Sequence, residues 1–241
     1  GWIQSNKISP KQILTSAQNF DRLKLNSEAI GAVPYDDLNQ LLVESDIVVL
    51  AVKPHQIAPV VEPLKEQLST KIILSVAAGI NYTDYQSILC EKTAHISLIP
   101  NTPVSIGEGI TIAESKHSLT EEQLILVTDL LALLGLVEFV DTEQLSIAGT
   151  LAGCGPAFAS MFIEALADGA VKYGLSRQEA YRLASQMIVG TGKMQLESGE
   201  HPGKMKDAVA SPGGTTIKGI TELEQQGFRG AVISAFDAIE G

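Results

Sequence analysis

The sequence predicts an α/β protein: a doubly wound parallel sheet domain over residues 1–141, followed by an all-α domain over residues 142–241. Two observations carry this. Short apolar runs of strand type alternate with helical patterns as far as about Asp141, the spacing of βαβ units. Beyond that point the strand-type runs stop and apolar positions recur at helical spacing to Glu240. A hydrophobic content of 45% over 241 residues is enough for a true core.

In order, Gln12 to Ser16 reads as a short strand after the Ser9-Pro10 turn, and Asp21 to Ala29 as a helix ending at Gly31. Asp36-Asp37 cap a second helix through Val43. The run Asp46 to Val52 has the composition of a strand buried on both faces. Lys53-Pro54-His55 ends it, and a helix from Ile57 to Leu68 is interrupted by Pro63. The pattern repeats with a strand Lys71 to Val76, the turn Ala77-Ala78-Gly79 and a helix Tyr82 to Leu89. Strands follow at His95 to Ile99 and Gly109 to Ala113. Thr120 and Gln123 form a capping box for a helix through Leu134, and a strand Leu136 to Val140 closes the series.

In such sheets a ligand lies beyond the carboxyl ends of the strands. Three short loops are predicted there: Ala51-Val52-Lys53-Pro54, Ala77-Ala78-Gly79 and Asn101-Thr102-Pro103. Their small or Pro-fixed residues allow a flat ligand to approach backbone, but each loop alone reads as an ordinary strand-to-helix turn, and the fingerprint G-x-G-x-x-G that would name a ligand is absent.

The second half opens with Leu145 to Leu151 and then Ala152-Gly-Cys-Gly-Pro156, where Pro156 suits a first helical position. The helix from Pro156 to Tyr173 is apolar on nearly every side and rich in Ala and Gly, so it needs cover all round. A second copy of the chain is the expected cover. Glu164 and Asp168 share a helical face, but without a neighbouring His the expectation is no metal. Ser176 opens a helix running to Glu197, and His201, in the following turn, reads as a structural hydrogen bonder. Ser211-Pro-Gly-Gly-Thr-Thr216 is a sharp turn entering a helix. Its free N–H groups face outward with the helix dipole behind them, which suits a carboxylate or phosphate; on spacing alone a plain helix cap after a sharp turn is the alternative. Ser211, Thr215 and Thr216 add hydroxyls to the same place.

The net charge of −11 argues against nucleic acid and anionic membrane surfaces as partners. No apolar run reaches the ~18 residues of a membrane span, and no signal peptide is evident. Cys90 and Cys154 fit no metal spacing and are expected to be buried free thiols in a reducing compartment.

The chain resembles the pyrroline-5-carboxylate reductase family. The motifs are Leu50-Ala-Val-Lys-Pro-His55, Ser75-Val-Ala-Ala-Gly79, Pro100-Asn-Thr-Pro103, Gly153-Cys-Gly-Pro-Ala157, Phe162 to Gly169, Glu200-His-Pro-Gly203, Lys206-Asp207 and Ser211 to Thr216. They run in family order across almost the whole chain. The resemblance implies a Rossmann-like domain, an all-α dimerisation domain and reduction of 1-pyrroline-5-carboxylate to L-proline with NADPH, or NADH as the alternative. It assigns Ala51, Val52, Lys53, Pro54, Ala77, Ala78, Gly79 and Asn101 to the cofactor. It assigns Ser211, Gly213, Gly214, Thr215 and Thr216 to the substrate carboxylate, with Thr216 beside the imine nitrogen as the catalytic residue. A cytoplasmic homodimer, extended into a larger ring of dimers, is implied with it.

Three departures bear on this. In the family a strand, a glycine-rich turn and most of a helix precede the point corresponding to Gly1-Trp2, so roughly 20 residues of a βαβ unit are expected ahead of it. Cys154 stands where the family commonly has serine, and Gly149-Thr150 is shifted by one residue against the usual threonine. Thr142-Glu143 occupies the place of an acidic residue at the start of the linking helix. The competing readings are a related cyclic imine reductase and a non-catalytic paralogue that binds NADP(H).

Overall fold

A strand with both faces apolar belongs in the middle of a covered sheet, and three such strands lie side by side here within a sheet of five. The computed structural model describes residues 1–241. In chain order, β1 (Leu14–Thr15) leads into α1 (Phe20–Ile30), which Asn19 caps and Gly31 closes in the left-handed conformation. β2 (Val33–Pro34) pairs parallel to β1, with Leu14 opposite Val33. This two-residue strand has no sequence signal, since alternation needs more residues and Pro34 argues against a strand. Asp37 caps α2 (Leu38–Val43). β3 (Ile47–Leu50) follows, then α3 (Ile57–Val61) and α4 (Lys65–Leu68), separated by a 3-10 turn at Pro63. β4 (Ile72–Ser75), α5 (Tyr82–Ile88) and β5 (Ala94–Pro100) continue the alternation, and β6 (Gly109–Glu114), α6 (Glu121–Ala132) and β7 (Gly135–Val140) complete it.

The main sheet has the order β3-β4-β5-β6-β7. It is mostly parallel, but β5 and β6 run antiparallel, with Ile99 opposite Ile112. The all-parallel expectation fails at this one pair. The connection from Asn101 to Glu108 holds only a 3-10 turn, too short for the helical crossover that a parallel return requires. β6 and β7 are parallel again and start against each other, so closely that a Cβ on Gly135 would overlap the Gly109 backbone.

β4 shows why the sheet is buried on both faces. Ile72 and Leu74 join a cluster with Ile96, Leu98, Val127 and Leu131, while Ile73 joins Val61, Leu68, Tyr85 and Leu89 on the other side. β3 comes first in the order of this sheet, and its Leu50 is buried while Val49 is 40% exposed.

The chain divides into two units, Gly1–Cys154 and Gly155–Gly241. α7 (Leu145–Lys172) is one continuous helix through that division, with Pro156 inside it rather than at its start. Proline removes the amide that would bond Ala152 O, and normally breaks a helix for that reason. Here the Asn101 side chain takes that carbonyl instead: Nδ2 donates to Ala152 O at 3.0 Å. The stretch Thr142–Lys172 is therefore long and apolar enough, by length and composition, to cross a membrane, which a break at Pro156 had hidden. Only 11% of its apolar window is buried within the chain, so something must cover it.

The second unit continues with α8 (Arg177–Ser198), α9 (Pro202–Ala208), α10 (Thr215–Gln225) and α11 (Phe228–Glu240). Phe158 meets Phe236 edge-on at 6.2 Å and Phe162 meets Phe228 at 5.7 Å. Both cysteines are free, as expected, but half-buried rather than buried.

Candidate functional site

Because β3, β4 and β5 are parallel and in register (Leu50 opposite Ser75, Ser75 opposite Ser97), the segments leaving them emerge on one edge. Ala51 to Pro54, Ala77 to Gly79 and Asn101 all lie there. Ala51, Lys53, Pro54, Ala78 and Gly79 are exposed, and Val52 and Asn101 are half-buried. Ala77 alone is buried, as the anchor of its turn. Pro54 starts a 3-10 turn pinned by the Lys53 N–H, which donates to Gln56 Oε1 at 3.2 Å. Gly79 takes φ 75°, closed to most side chains, and a Cβ there would meet open space. An open edge of small residues with accessible backbone fits a flat dinucleotide.

The Ala77 turn is held from below. The Val76 N–H still donates to Leu50 O at 3.1 Å, so Ala77 carries the first amide to leave the sheet. It donates to Ser75 Oγ at 3.3 Å, and Ser75 Oγ shares a hydrogen bond with the Tyr85 hydroxyl. Burial raises the Tyr85 phenol above its ordinary 10.0. Its proton is thus held more tightly in the folded than in the unfolded chain. Stability from this group is complete below about pH 10 and lost as pH rises through the folded value. Urea unfolding at rising alkaline pH is expected to show a shallower loss in Tyr85→Phe.

At the start of α5, Asn81 forms a capping box with Asp84. The Tyr82 N–H donates to the fully buried Glu114 at 2.7 Å, and Glu114 also accepts from Thr142 Oγ1 at 2.6 Å. Thr142 thus satisfies a buried carboxylate. The Tyr82 ring stacks on the buried His95 at 4.7 Å.

Asn101 is fully engaged by its own fold. Besides donating to Ala152 O, its Oδ1 accepts from the Ile110 N–H at 2.8 Å, and its own N–H donates to Ile110 O at 3.1 Å. Nothing in sequence spacing announced this clamp. The pairing of a Pro inside a helix with a side-chain amide beyond three intervening elements becomes visible only when both are folded.

In the second unit, Gly213 at φ 71° and Gly214 lead into α10, whose N-cap Gly214 supplies no side-chain hydrogen bond. By contrast Asn19, Asp37, Asn81, Thr120, Ser176 and His201 each cap their helix with a side chain. Like those of α11, whose N-cap is Gly227, the first amides of α10 therefore have no side-chain cap. Ser211, Gly213, Thr215 and Thr216 are exposed around this start, with Gly214 half-buried. Ser211 Oγ lies so close to Gly214 that a Cβ there would overlap it. His201 caps α9 through Nδ1, which accepts from the Gly203 N–H at 3.0 Å, the structural role its turn predicts. Asp168 pairs with Arg177 rather than with Glu164.

A family model described as "Pyrroline-5-carboxylate reductase dimerisation" matches residues 142–240, and one described as "NADP oxidoreductase coenzyme F420-dependent" matches residues 1–79. The chain is 38% identical to a pyrroline-5-carboxylate reductase of Treponema pallidum, over 99% of this chain and 92% of that protein. It is 34% identical to the Escherichia coli protein of that name, over 98% and 88%. Among solved structures, a pyrroline-5-carboxylate reductase from Coxiella burnetii superposes with a TM-score of 0.87 at 32% identity, over 99% of this chain and 89% of that one. The Plasmodium falciparum pyrroline carboxylate reductase with NADP bound gives 0.86 at 29% identity, over 99% and 88%.

Proposed function

The chain belongs to the pyrroline-5-carboxylate reductase family, and from that membership we propose how its own residues divide the work. The reaction is the NAD(P)H-dependent reduction of 1-pyrroline-5-carboxylate to L-proline, the last step of proline biosynthesis. The bound nicotinamide supplies the hydride, and the protein supplies position.

In our reading residues 1–141 carry the cofactor and residues 142–241 carry the substrate and the subunit contact. Ala51, Val52, Lys53 and Pro54 hold the cofactor on one side, and Ala77, Ala78 and Gly79 on the other. Asn101, immobilised by its clamp, borders them at the end of β5. The uncapped start of α10 carries the substrate half of this reading. Its free amides, with Ser211, Gly213, Gly214 and Thr215, take the carboxylate, which the dipole favours. Thr216 orients the ring nitrogen and relays a proton from water. A cyclic imine is protonated readily near neutral pH, so no strongly perturbed acid is needed.

Gly214→Ala tests the carboxylate assignment. Its new Cβ displaces the Ser211 hydroxyl, so KM for pyrroline-5-carboxylate is expected to rise about tenfold, with kcat changed far less. The whole reading is tested by following loss of reduced-nicotinamide absorbance on adding pyrroline-5-carboxylate, with NADPH and then NADH. Substrate-dependent oxidation supports it, and the comparison ranks the cofactors. Cofactor binding without turnover would favour the non-catalytic paralogue.

The chain forms homo-oligomers through its dimerisation domain. We read the basic assembly as a homodimer, extended into a ring of dimers, in the cytoplasm. A second copy, rather than lipid, would cover α7 and exposed residues such as Met161 (69%), Leu183 (62%) and Leu196 (71%). Light scattering that returned a monomer would overturn this.

A further inference from the structure

We propose that Tyr85 is a positioning residue for the cofactor: through Ser75 its hydroxyl fixes the backbone of the Ala77–Gly79 turn. This rests on the reading that the turn holds the cofactor.

The geometry is a relay of three groups. Ser75 ends β4 and is 2% exposed; Tyr85 lies one turn inside α5 and is fully buried. Between them runs the segment Val76 to Asp84. The sheet ladder controls this segment only as far as Val76, whose N–H donates to Leu50 O. Asn81 controls it from the other end as the helix cap. Ala77, Ala78 and Gly79 lie outside both. One hydrogen bond reaches into them from the core: the Ala77 N–H donates to Ser75 Oγ.

A serine hydroxyl rotates freely unless something selects its orientation. Ser75 has two candidates. Its register partner across the strand pair is Ser97, whose side chain shares its face of the sheet and whose Oγ is buried with no hydrogen-bond partner. The other is Tyr85. The structure shows Ser75 bonded to Tyr85 and to the Ala77 amide, while Ser97 is left unsatisfied. Leaving a buried hydroxyl without a partner is unfavourable, so Ser97 stands ready to draw Ser75 away once Tyr85 lets go. Core packing alone would be served by phenylalanine at position 85. The hydroxyl is explained by what it does to Ser75.

The consequence concerns binding rather than chemistry. A turn whose first amide is released samples more conformations, and the cofactor must order it again. In the assembled full-length protein, Tyr85→Phe is expected to raise Kd for NADPH alone, read by nucleotide fluorescence, about threefold to tenfold. At saturating NADPH, kcat and KM for pyrroline-5-carboxylate stay unchanged. Ser75→Ala gives a similar Kd, and the double variant is no worse than either single one, since both cut the same relay. A fall in thermal stability with Kd unchanged would reduce Tyr85 to a packing residue and overturn the proposal. Gly79→Val separates the relay from the turn itself, because a β-branched residue is strained at φ 75° and distorts the turn directly. If Gly79→Val weakens NADPH binding and Tyr85→Phe does not, the relay fails while the cofactor turn stands. If neither does, the turn itself is not a cofactor contact.

Discussion

Replacing Thr216 with alanine is expected to lower kcat roughly 100-fold, the size of effect associated with losing one positioned proton donor. The fold gives this variant little reason to be unstable. Thr216 lies in the first turn of α10, is exposed, and its hydroxyl makes no hydrogen bond within the chain. Its amide belongs to the backbone and survives the substitution, so the carboxylate contacts of the helix start remain. KM should therefore move far less than kcat, and the melting temperature should stay within a degree or two of the parent. Thr216→Ser restores the hydroxyl and should recover most of the rate. Steady-state kinetics on the three proteins decides the matter. An unchanged kcat in Thr216→Ala would remove the residue from the mechanism, and an equal loss in the serine variant would point to the methyl group instead.

Asn101→Leu is expected to be the most destabilising single change at the edge of the sheet, by roughly 2–4 kcal/mol. The replacement is similar in size, so the loss is mostly polar. It strips the Ile110 N–H of its side-chain acceptor and leaves Ala152 O, already deprived of its helical donor by Pro156, with nothing. Ala152 is 3% exposed, so water offers that carbonyl little relief. Pro156→Ala supplies the missing helical amide and should shrink the cost of Asn101→Leu. Urea unfolding of the four proteins in a double-mutant cycle measures that coupling. A coupling near zero would mean that Asn101 does not act as the substitute donor. Asn101→Asp resolves the clamp further, since a carboxylate still accepts from Ile110 N–H but cannot donate to Ala152 O.

The Pro156 helix shows where reading a sequence reaches its limit. A proline after Gly-Cys-Gly is a good helix start by local rules, and locally the rule is sound. It failed because the donor that rescues Ala152 O comes from residue 101, a contact no window of sequence contains. The antiparallel β5–β6 pair was closer to legible: eight residues separate Pro100 from Gly109, too few for a crossover helix, and connection length is a sequence property. The Ser75–Tyr85 relay had no signal at all, because a buried tyrosine and a buried serine look like ordinary core and strand residues until their hydroxyls meet.

By itself the sequence determined what depends on neighbours along the chain. It placed most strands and helices through apolar periodicity, the caps at Asp37 and Thr120, and the division into an α/β half and a helical half. Its motifs also carried the family and the turn before α10, since a Gly-Gly step into a helix start exposes amides wherever it occurs. The tertiary structure decided what depends on partners distant in sequence: the direction of β6, the unbroken α7 and the clamps at Asn101 and Tyr85. The physical reason is the same for each. A buried polar group must find a partner, and which group it finds is settled by packing rather than by spacing.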